Sequence, residues 1–509
     1  MVDRFLTLGR QTIVYGLGGA ALQLVGLATV PIFTRVFDAG QYGTLETTIA
    51  AYSALLMLAD LGLTSSAQRS YFDYDQEHDR ERRTALSTGL ASSMTLAVMW
   101  AVVAIAFATS ISSWQFGTAR YADLIRIAAV SVPVAVLCNF LRETVRLKVR
   151  PWAYTISMTG GALVGTAFAL VDVLAFNGGI SSLLWGMLVG NTFSALVSSV
   201  VLRGAVIGSF SVPELRRMFA YGLPLVPTSI SLWGVSLLDR SLLTKLAAGN
   251  SQARLAATGE YALANRFSAI LMFLVTAFSL AYGPFQLSLW QEDPELEKRV
   301  RARMLTYVAL GLTTVAVTLS LFAREIAQVV SPNYTTAYEA VGMLTMSVAV
   351  FGVSNLALAG ISLTRRTGYI AIYTGLSLIL NAGLNFLLIP PWGMLGSAFA
   401  TIAAYVLLAG LYYWRSQILY HTPYSLRRTI IVLVAGMAAT LVGLIRFEHL
   451  GVAVAVKIAT LVLFAVAMLV FRVIDRDDID GLRVLVTHAL GRAAAPPAIV
   501  EEPAAQGHA

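Results

Sequence analysis

The sequence predicts an all-α integral membrane protein with about 14 transmembrane helices. Hydrophobic residues make up 57% of its 509 residues and charged residues only 13%, whereas soluble domains carry roughly 25% charged residues. A mean hydropathy of +0.71 over the whole chain indicates that apolar segments recur along it instead of forming one anchor. A chain of this composition needs lipid as its solvent.

The predicted spans are apolar segments long enough to cross roughly 30 Å of hydrocarbon. They are 11–36, 44–70, 85–109, 122–147, 152–175, 180–202, 217–246, 257–283, 302–322, 335–362, 369–389, 393–414, 429–446 and 451–472. The first span is too long for a signal-peptide core and lacks an Ala-x-Ala cleavage signal. We therefore expect it to stay in the protein as helix 1.

The distribution of basic residues supports this number of spans and predicts an orientation. Cytoplasmic loops of membrane proteins are enriched in Lys and Arg. When basic residues near the end of a span are counted with the adjoining loop, 26 of the 36 fall with the even-numbered loops and the termini, six with the odd-numbered loops and four deeper within spans. Because one missed span would scramble this alternation, both termini are predicted to lie in the cytoplasm. The same placement explains the net charge of +8 without a nucleic-acid partner.

The loops are short, and none has room for a soluble domain. The single cysteine, Cys138, lies in an apolar stretch, which excludes a disulfide or a thiolate metal site within one chain. No metal is expected. Residues 475–509 are rich in alanine, proline and charge and predict a disordered cytoplasmic tail.

Two internal repeats predict two lobes of six helices each. Residues 14–17 and 40–45 resemble 220–223 and 259–263, and residues 150–186 resemble 366–400. The copies begin on the same side of the membrane, so the lobes would be related by an axis along the membrane normal, with the substrate site between them. The predicted divisions are 1–205 for the first lobe, 206–416 for the second, 417–474 for two extra helices and 475–509 for the tail.

Three motifs around the first two helices carry a family resemblance. They are residues 31–35 (PIFTR), 38–43 (DAGQYG) and 69–73 (RSYFD). In this order, with the plan of six, six and two helices, they resemble the polysaccharide flippase branch of the multidrug/oligosaccharidyl-lipid/polysaccharide exporter superfamily. The resemblance covers nearly the whole chain in layout.

The resemblance implies a V-shaped transporter of the bacterial inner membrane. Such a protein moves undecaprenyl-diphosphate-linked oligosaccharide outward by alternating access, through a cavity lined by helices 1, 2, 7 and 8 that is often cationic. The implied partners are membrane lipid, the lipid-linked glycan and polysaccharide biosynthesis proteins, with a monomeric transport unit. No cofactor is expected, and coupling to H⁺ or Na⁺ stays open.

Ionisable side chains within spans are costly and commonly functional, and here they concentrate in helices 1, 2, 7 and 8. Arginine suits phosphate oxygens because of its planar fork of donors, and aromatic rings can stack on sugars. The predicted substrate-binding residues are Arg266, Arg240, Arg35, Lys245, Asn265, Tyr15 and Tyr52, with Arg240, Arg35 and Lys245 forming an outer basic vestibule. The predicted ion-coupling residues are Asp60, Asp239 and Glu46, because a carboxylate at low dielectric can bind and release a proton or cation.

Each of these residues also has a structural interpretation. Asp60 and Arg266 could form an ion pair that locks the lobes together. The outer charges could reach the headgroup layer, and the tyrosines could belong to interfacial belts. Prolines such as Pro224 and Pro227 could kink a helix or act as a hinge.

Two other functions compete with a flippase. A drug or metabolite antiporter of the same fold typically has 12 helices and an acidic residue in the first, but residues 11–34 contain neither Asp nor Glu. A membrane enzyme such as a polysaccharide polymerase or ligase would need a sizeable outer loop carrying catalytic groups. The outer loops here are short, so the sequence predicts a transporter and not an enzyme.

Overall fold

The computed structural model describes residues 18–473, apart from residues 20, 21, 23, 24, 27, 76, 365 and 448. Within these residues the protein is helical throughout and contains no strand. Eleven helices there are long and apolar enough to cross a membrane. The predicted fold class, an all-α protein that spans the membrane many times, is therefore confirmed.

The helices follow one another with short connections. Residues 28–36 are helical and form α1. The other helices are α2 (Ala39–Asp60), α3 (Leu63–Asp73), α4 (Asp79–Ala106), α5 (Ala108–Phe116), α6 (Ala122–Leu147), α7 (Pro151–Ala175), α8 (Ser181–Leu202), α9 (Val212–Gly222), α10 (Val226–Leu246), α11 (Ser251–Glu292), α12 (Pro294–Val330), α13 (Tyr338–Ala357), α14 (Ala359–Leu363), α15 (Gly368–Leu419), α16 (Leu426–Val442) and α17 (Leu450–Val470).

Three features account for the difference between fourteen predicted spans and eleven long helices. The 52 residues of α15 contain two predicted spans, which meet at a sharp bend where Gly393 adopts φ 54° and ψ −129°. Only glycine adopts such a conformation readily. α16 has 17 residues, slightly fewer than a span of about 20. The first predicted span, 11–36, lies partly outside the described residues.

Contacts between connections define two ends of the bundle. The Asp38 end contains the connections at 37–38, 247–250 and 331–337; there, the Tyr334 hydroxyl donates to the Phe37 carbonyl at 3.1 Å. The Arg82 end contains those at 74–78, 203–211 and 420–425. There, the Tyr74 hydroxyl donates at 3.0 Å to the carboxylate of Glu214, in the first turn of α9 after the connection 203–211.

The first part of the chain, up to α8, and the second part, from α9 onward, meet along α2 and α3. Near the Asp38 end, α2 packs against α10 and α11, and near the Arg82 end α3 packs against α9. α9 also contacts α4, although the predicted division at residue 206 assigns it to the second lobe. The two-lobe arrangement and its boundaries stay predictions.

Two predicted spans are broken near the Arg82 end. The span 44–70 divides into α2 and α3 at Leu61 and Gly62, which have φ values of 42° and 75°. The span 217–246 divides into α9 and α10 at a 3₁₀ turn, Leu223–Leu225, which contains Pro224. The breaks touch each other, since a Cβ on Gly62 would lie 2.9 Å from the Gly222 carbonyl oxygen. The absent side chain lets the two backbones meet.

Candidate functional site

The Asp38 end is closed by a crossing of α2 and α11 that has backbone in contact with backbone. A Cβ on Gly43 would lie 1.9 Å from the Leu255 carbonyl oxygen, and a Cβ on Gly259 would lie 1.9 Å from that of Ala39. No larger residue fits at either position without moving a helix. Hydroxyls extend the contact to α10, with Thr47 Oγ1 2.9 Å from Thr244 Oγ1.

Beside this crossing lies a group of charged side chains that we name the Arg266 network: Tyr42, Glu46, Asp239, Arg240 and Arg266. Glu46 of α2 is its centre. Its carboxylate accepts a hydrogen bond of 3.2 Å from Arg240 Nε of α10 and one of 2.6 Å from Arg266 Nη2 of α11. One carboxylate therefore ties three helices, and two parts of the chain, together.

The remaining members complete the hydrogen bonding of the Arg266 network. Asp239 accepts from the Tyr261 hydroxyl at 2.5 Å and from the Arg240 backbone N–H at 2.8 Å. Arg266 Nε donates to the Tyr42 hydroxyl at 3.2 Å. Two carboxylates balance two guanidinium groups, so the network is neutral as a whole, and removal of one member would leave an uncompensated charge in a poorly solvated place.

A cavity of about 380 Å³ opens next to the Arg266 network. It is lined by residues of α1, α2, α6, α7 and α8, with Arg266 contributed by α11. On α8 the lining extends from Leu183 to Ser194, which corresponds to roughly 16 Å at 1.5 Å per residue. The charged residues of this lining are two arginines, Arg142 and Arg266, and among the residues described no carboxylate lines it. We call it the cationic cavity.

Both arginines keep hydrogen-bonding capacity for a ligand. The Arg266 side chain is 41% exposed although the Glu46 side chain that it pairs with is only 5% exposed. Arg142 donates through Nη2 to the Asn139 amide oxygen at 3.1 Å. Its Nε is buried and has no hydrogen-bond partner among the residues that the structure describes. An arginine has five N–H donors and no acceptor, so both side chains can bind the oxygens of an anion.

The wall formed by α7 and α8 is smooth because these two helices touch through glycines. A Cβ on Gly165 would lie 2.4 Å from the Gly186 carbonyl oxygen, and one on Gly190 would lie 2.5 Å from that of Gly161. All four glycines line the cationic cavity. The cavity thus combines two cations with a surface of backbone and apolar side chains.

Asp60, the first predicted ion carrier, lies apart from the Arg266 network. It accepts hydrogen bonds from the backbone and hydroxyl of Thr64, at the break between α2 and α3. Its place on α2 is roughly 20 Å from Glu46 at 1.5 Å per residue. The alternative of an Asp60–Arg266 ion pair is therefore wrong, because Arg266 pairs with Glu46.

The predicted outer basic vestibule is not formed. Arg240 is buried, with a side-chain exposure of 7%. Arg35 is exposed and donates to the Val329 carbonyl at 3.0 Å, at the end of α12. The Lys245 ammonium lies 2.7 Å from the centre of the Trp114 ring. These three cations satisfy local partners, and none of them lines the cationic cavity.

The remaining predicted residues have different environments. Tyr52 is buried among apolar side chains, so its ring is not open to a sugar; its hydroxyl accepts from Asn191 Nδ2 at 3.4 Å. Asn265 is half-buried beside Arg266. Tyr15 lies outside the described residues. Asp239 and Glu46, predicted as ion carriers, are buried in the Arg266 network.

Sequence reasoning missed two polar residues of the cationic cavity, Arg142 and Asn191. Arg142 begins a run of four basic residues at the end of α6, which resembles an ordinary cytoplasmic charge cluster. No periodicity distinguishes it from Arg146, which pairs with Glu143 at 2.6 Å. Only the packing of the neighbouring helices shows that Arg142 lines the cationic cavity. Among the described residues, no three His, Cys, Asp or Glu side chains come together as a metal site.

Comparisons with solved structures identify the fold. The chain is similar to the lipid II flippase MurJ in an inward closed conformation, with a TM-score of 0.69 and 12% identity over 90% of this chain and 99% of that one. It is also similar to a multidrug resistance MATE family transporter of the MOP superfamily in an inward-facing conformation, with a TM-score of 0.60 and 12% identity over 80% and 94% of the two chains. A MATE protein in a bent conformation gives a TM-score of 0.57 and 13% identity over 84% and 96%.

A search of curated proteins found no match. A family model described as polysaccharide biosynthesis protein matches residues 8–289, which is more than half of the chain. The predicted resemblance is thereby confirmed at the level of this family. The protein belongs to the polysaccharide biosynthesis protein family and has the fold that flippases share with multidrug transporters.

Proposed function

We propose that the protein transports a lipid-linked oligosaccharide, carried on undecaprenyl diphosphate, across the bacterial inner membrane by alternating access. One observation carries the proposal: the cationic cavity is lined by two arginines and by no described carboxylate. A diphosphate needs cationic donors, and arginine binds phosphate oxygens in a bidentate manner. An anionic group can therefore be held where a cationic drug would be repelled.

The contacts of Glu46 suggest how binding is coupled to movement. A diphosphate at Arg266 competes with the Glu46 carboxylate for the same guanidinium. Glu46 then retains Arg240, at 3.2 Å, so it is not left as an unpaired buried charge. When Arg266 binds the diphosphate in place of Glu46, the ion pair between α2 and α11 is lost. In this scheme that ion pair helps to hold the Asp38 end closed. The substrate thus favours opening of that end.

The orientation follows from the basic residues. The Arg82 end carries most of the Lys and Arg between spans and is placed in the cytoplasm by the positive-inside rule. The closed Asp38 end then faces outward, both termini are cytoplasmic, and the substrate enters from the cytoplasmic side. The partners of this transport unit, which we propose to be monomeric, are membrane lipid, the lipid-linked glycan and the proteins that build it, with no nucleic acid.

Coupling to H⁺ or Na⁺ would use Asp60 in this scheme. Glu46 and Asp239 are buried and each pairs with a guanidinium group. Asp60 is half-buried, has no salt bridge among the described residues and lies at the break between α2 and α3. A carboxylate that water can reach and that no cation neutralises is the better carrier of a proton or cation.

The MATE-like fold keeps a drug antiporter as the second candidate. A carboxylate in the binding cavity would favour an organic cation, and none lines the cationic cavity in the described part of the chain. Growth of a sensitised strain on toxic cations separates the two functions. Protection by this protein would favour the antiporter.

The direct test uses proteoliposomes and a fluorescent polyprenyl-diphosphate oligosaccharide. We expect Arg266→Gln and Arg142→Gln each to lower the translocation rate by about tenfold or more, since each removes a charge-assisted contact. Arg126→Gln is the matched control, because Arg126 also belongs to α6 but pairs with Asp123 at the surface. Normal translocation by the Arg142 and Arg266 variants would refute the proposed site, and no translocation by the wild type would refute the function.

A further inference from the structure

A second cavity with a basic lining lies at the Arg82 end, between the start of α16 and the end of α17. Its volume is about 680 Å³. Three arginines from two separate segments line it: Arg427 and Arg428 at the start of α16, and Arg472 after α17. No carboxylate belongs to the described lining. The cationic cavity lies among α1, α2, α6, α7, α8 and α11, so this is a different site.

The positive charge of this cavity is only partly neutralised. Arg427 and Arg472 are exposed, and neither forms a salt bridge within the described residues. The first turn of α16 adds the positive end of a helix dipole, and no side chain caps this helix start. Guanidinium groups that converge from two segments match the oxygens of a phosphate.

Apolar side chains surround the same opening. Leu426, Ile431 and Phe471 belong to the lining. Val470 of the same lining is 69% exposed and the neighbouring Ile430 is 54% exposed, on helices whose outer surface contacts hydrocarbon in a protein that spans a membrane. A ligand here meets arginines at the end of the helices and an apolar surface along them. A molecule with an anionic head and hydrocarbon chains satisfies both.

We propose that this cavity binds the phosphate headgroup of an anionic phospholipid from the leaflet at the Arg82 end. Its acyl chains lie along the exposed apolar faces of α16 and α17. Basic pockets between helices at the cytoplasmic side of a membrane suit this class of lipid. The site attaches the two extra helices to the surrounding bilayer, which neither the translocation of a glycan nor the Arg266 network requires.

Two other anions could satisfy the arginines without a lipid. One is inorganic phosphate. The other is the acidic segment that follows Arg472 in the sequence, with Asp475, Asp477 and Asp478. Neither brings hydrocarbon chains to the apolar residues beside the arginines, so the lipid is the occupant that accounts for the whole surface.

Native mass spectrometry of the full-length protein tests the proposal. Phosphatidylglycerol and phosphatidylcholine with the same acyl chains are added in turn, and the bound lipids are counted. We expect the wild type to prefer phosphatidylglycerol, and the double variant Arg427→Gln/Arg472→Gln to bind it about thirtyfold more weakly, because each arginine contributes about 1 kcal/mol near an anionic headgroup. Arg80→Gln/Arg216→Gln is the control, since it removes the same charge from exposed positions outside the cavity.

Four results would overturn the proposal. The first is equal binding of the two lipids by the wild type, and the second is equal loss of phosphatidylglycerol in the control variant. The third is displacement of phosphatidylglycerol by millimolar inorganic phosphate. A preference that emerges only in Asp475→Asn/Asp477→Asn/Asp478→Asn would assign the cavity to the acidic tail and would also overturn it. All four outcomes are independent of the translocation assay.

Discussion

Two buried charge networks in this protein differ in what they connect. The Arg266 network joins α2 to α10 and α11, through side chains 194 and 220 residues apart in sequence. The second, which we name the Arg301 network, consists of Gln286, Glu297, Arg301, Tyr420 and Thr422. It lies at the Arg82 end and connects α11, α12 and the segment after α15.

The Arg301 network is the more deeply buried of the two. Arg301 and Glu297 are both 0% exposed, with Arg301 Nε 3.3 Å from Glu297 Oε1. Arg301 also donates to the Thr422 hydroxyl, and Gln286 Nε2 donates to Glu297 at 2.9 Å. Burial and the nearby Glu297 carboxylate raise the pKa of Tyr420 to about 12, so this phenol stays neutral at physiological pH.

The comparison separates a structural use of buried charge from a functional one. All members of the Arg301 network belong to the second part of the chain; a cavity of about 590 Å³ reaches Gln286, but Arg301 is not part of its described lining. The Arg266 network connects both parts, and one of its arginines opens on the cationic cavity. We therefore expect the Arg301 network to stabilise the fold and the Arg266 network to control the contact between the two parts.

The largest loss of stability is expected for Arg301→Ala. It leaves the Glu297 carboxylate buried without a cation, which costs about 3–5 kcal/mol. The free energy of unfolding, measured by SDS titration in mixed micelles, checks this value. Arg299→Ala is the control on the exposed face of the same helix. Equal stability of the two variants would contradict a structural role for the Arg301 network.

Gly43→Ala is expected to have the next largest effect. Its added Cβ meets the Leu255 backbone, and overpacking of this kind costs about 1–3 kcal/mol. Gly410→Ala is the matched control, because a Cβ at Gly410 meets nothing within 4 Å. If both variants unfold at the same SDS concentration, the crossing of α2 and α11 is not as tight as the structure shows.

Glu46→Gln is expected to open the Asp38 end at a modest cost in stability. Glutamine still accepts hydrogen bonds, so the loss should be about 1–3 kcal/mol, yet it no longer neutralises two arginines. Labelling of a Thr258→Cys reporter by a maleimide, with Cys138 replaced by serine, should become faster. Glu339→Gln removes a more exposed carboxylate, paired with Arg446 at 3.5 Å, and should leave labelling unchanged. Unchanged labelling in Glu46→Gln would show that Glu46 does not hold this end closed.

The smallest effect is expected for Lys457→Met. Lys457 is buried in α17 and pairs with Glu325 of α12 at 2.5 Å. The Glu325 side chain is 28% exposed and can find other polar partners, so the loss of stability should be about 1 kcal/mol. In the SDS titration this variant should unfold at a clearly higher SDS concentration than Arg301→Ala. A loss of stability as large as that of Arg301→Ala would show that the exposed fraction of the remaining carboxylate does not determine how much stability is lost.

The sequence predicted the helices better than the site. Thirteen of the predicted spans correspond to helices or helix halves among the described residues, because apolar length is a local property. Arg266 lines the cationic cavity, and its role in substrate binding stays a prediction. Arg240 and Lys245 were assigned to an open vestibule and instead bind neighbours, because exposure depends on which helix packs against a residue.

The missing residues of the site show the same limit. Arg142 and Asn191 line the cationic cavity but lie on helices that carry few other charges near the middle of the membrane. The sequence could not show that Arg266 pairs with Glu46 and not with Asp60, because both carboxylates lie on the same predicted span.

The sequence by itself determined that the chain crosses a membrane many times as helices, because lipid accepts only segments that satisfy their own backbone hydrogen bonds. It also determined which ends of these helices are rich in basic residues. Only the tertiary structure decided that Gly43 and Gly259 bring two backbones together, that Glu46 binds two arginines and that Arg142 shares a cavity with Arg266. Those relations join residues far apart in the chain, and their distances follow from helix packing and not from any local pattern.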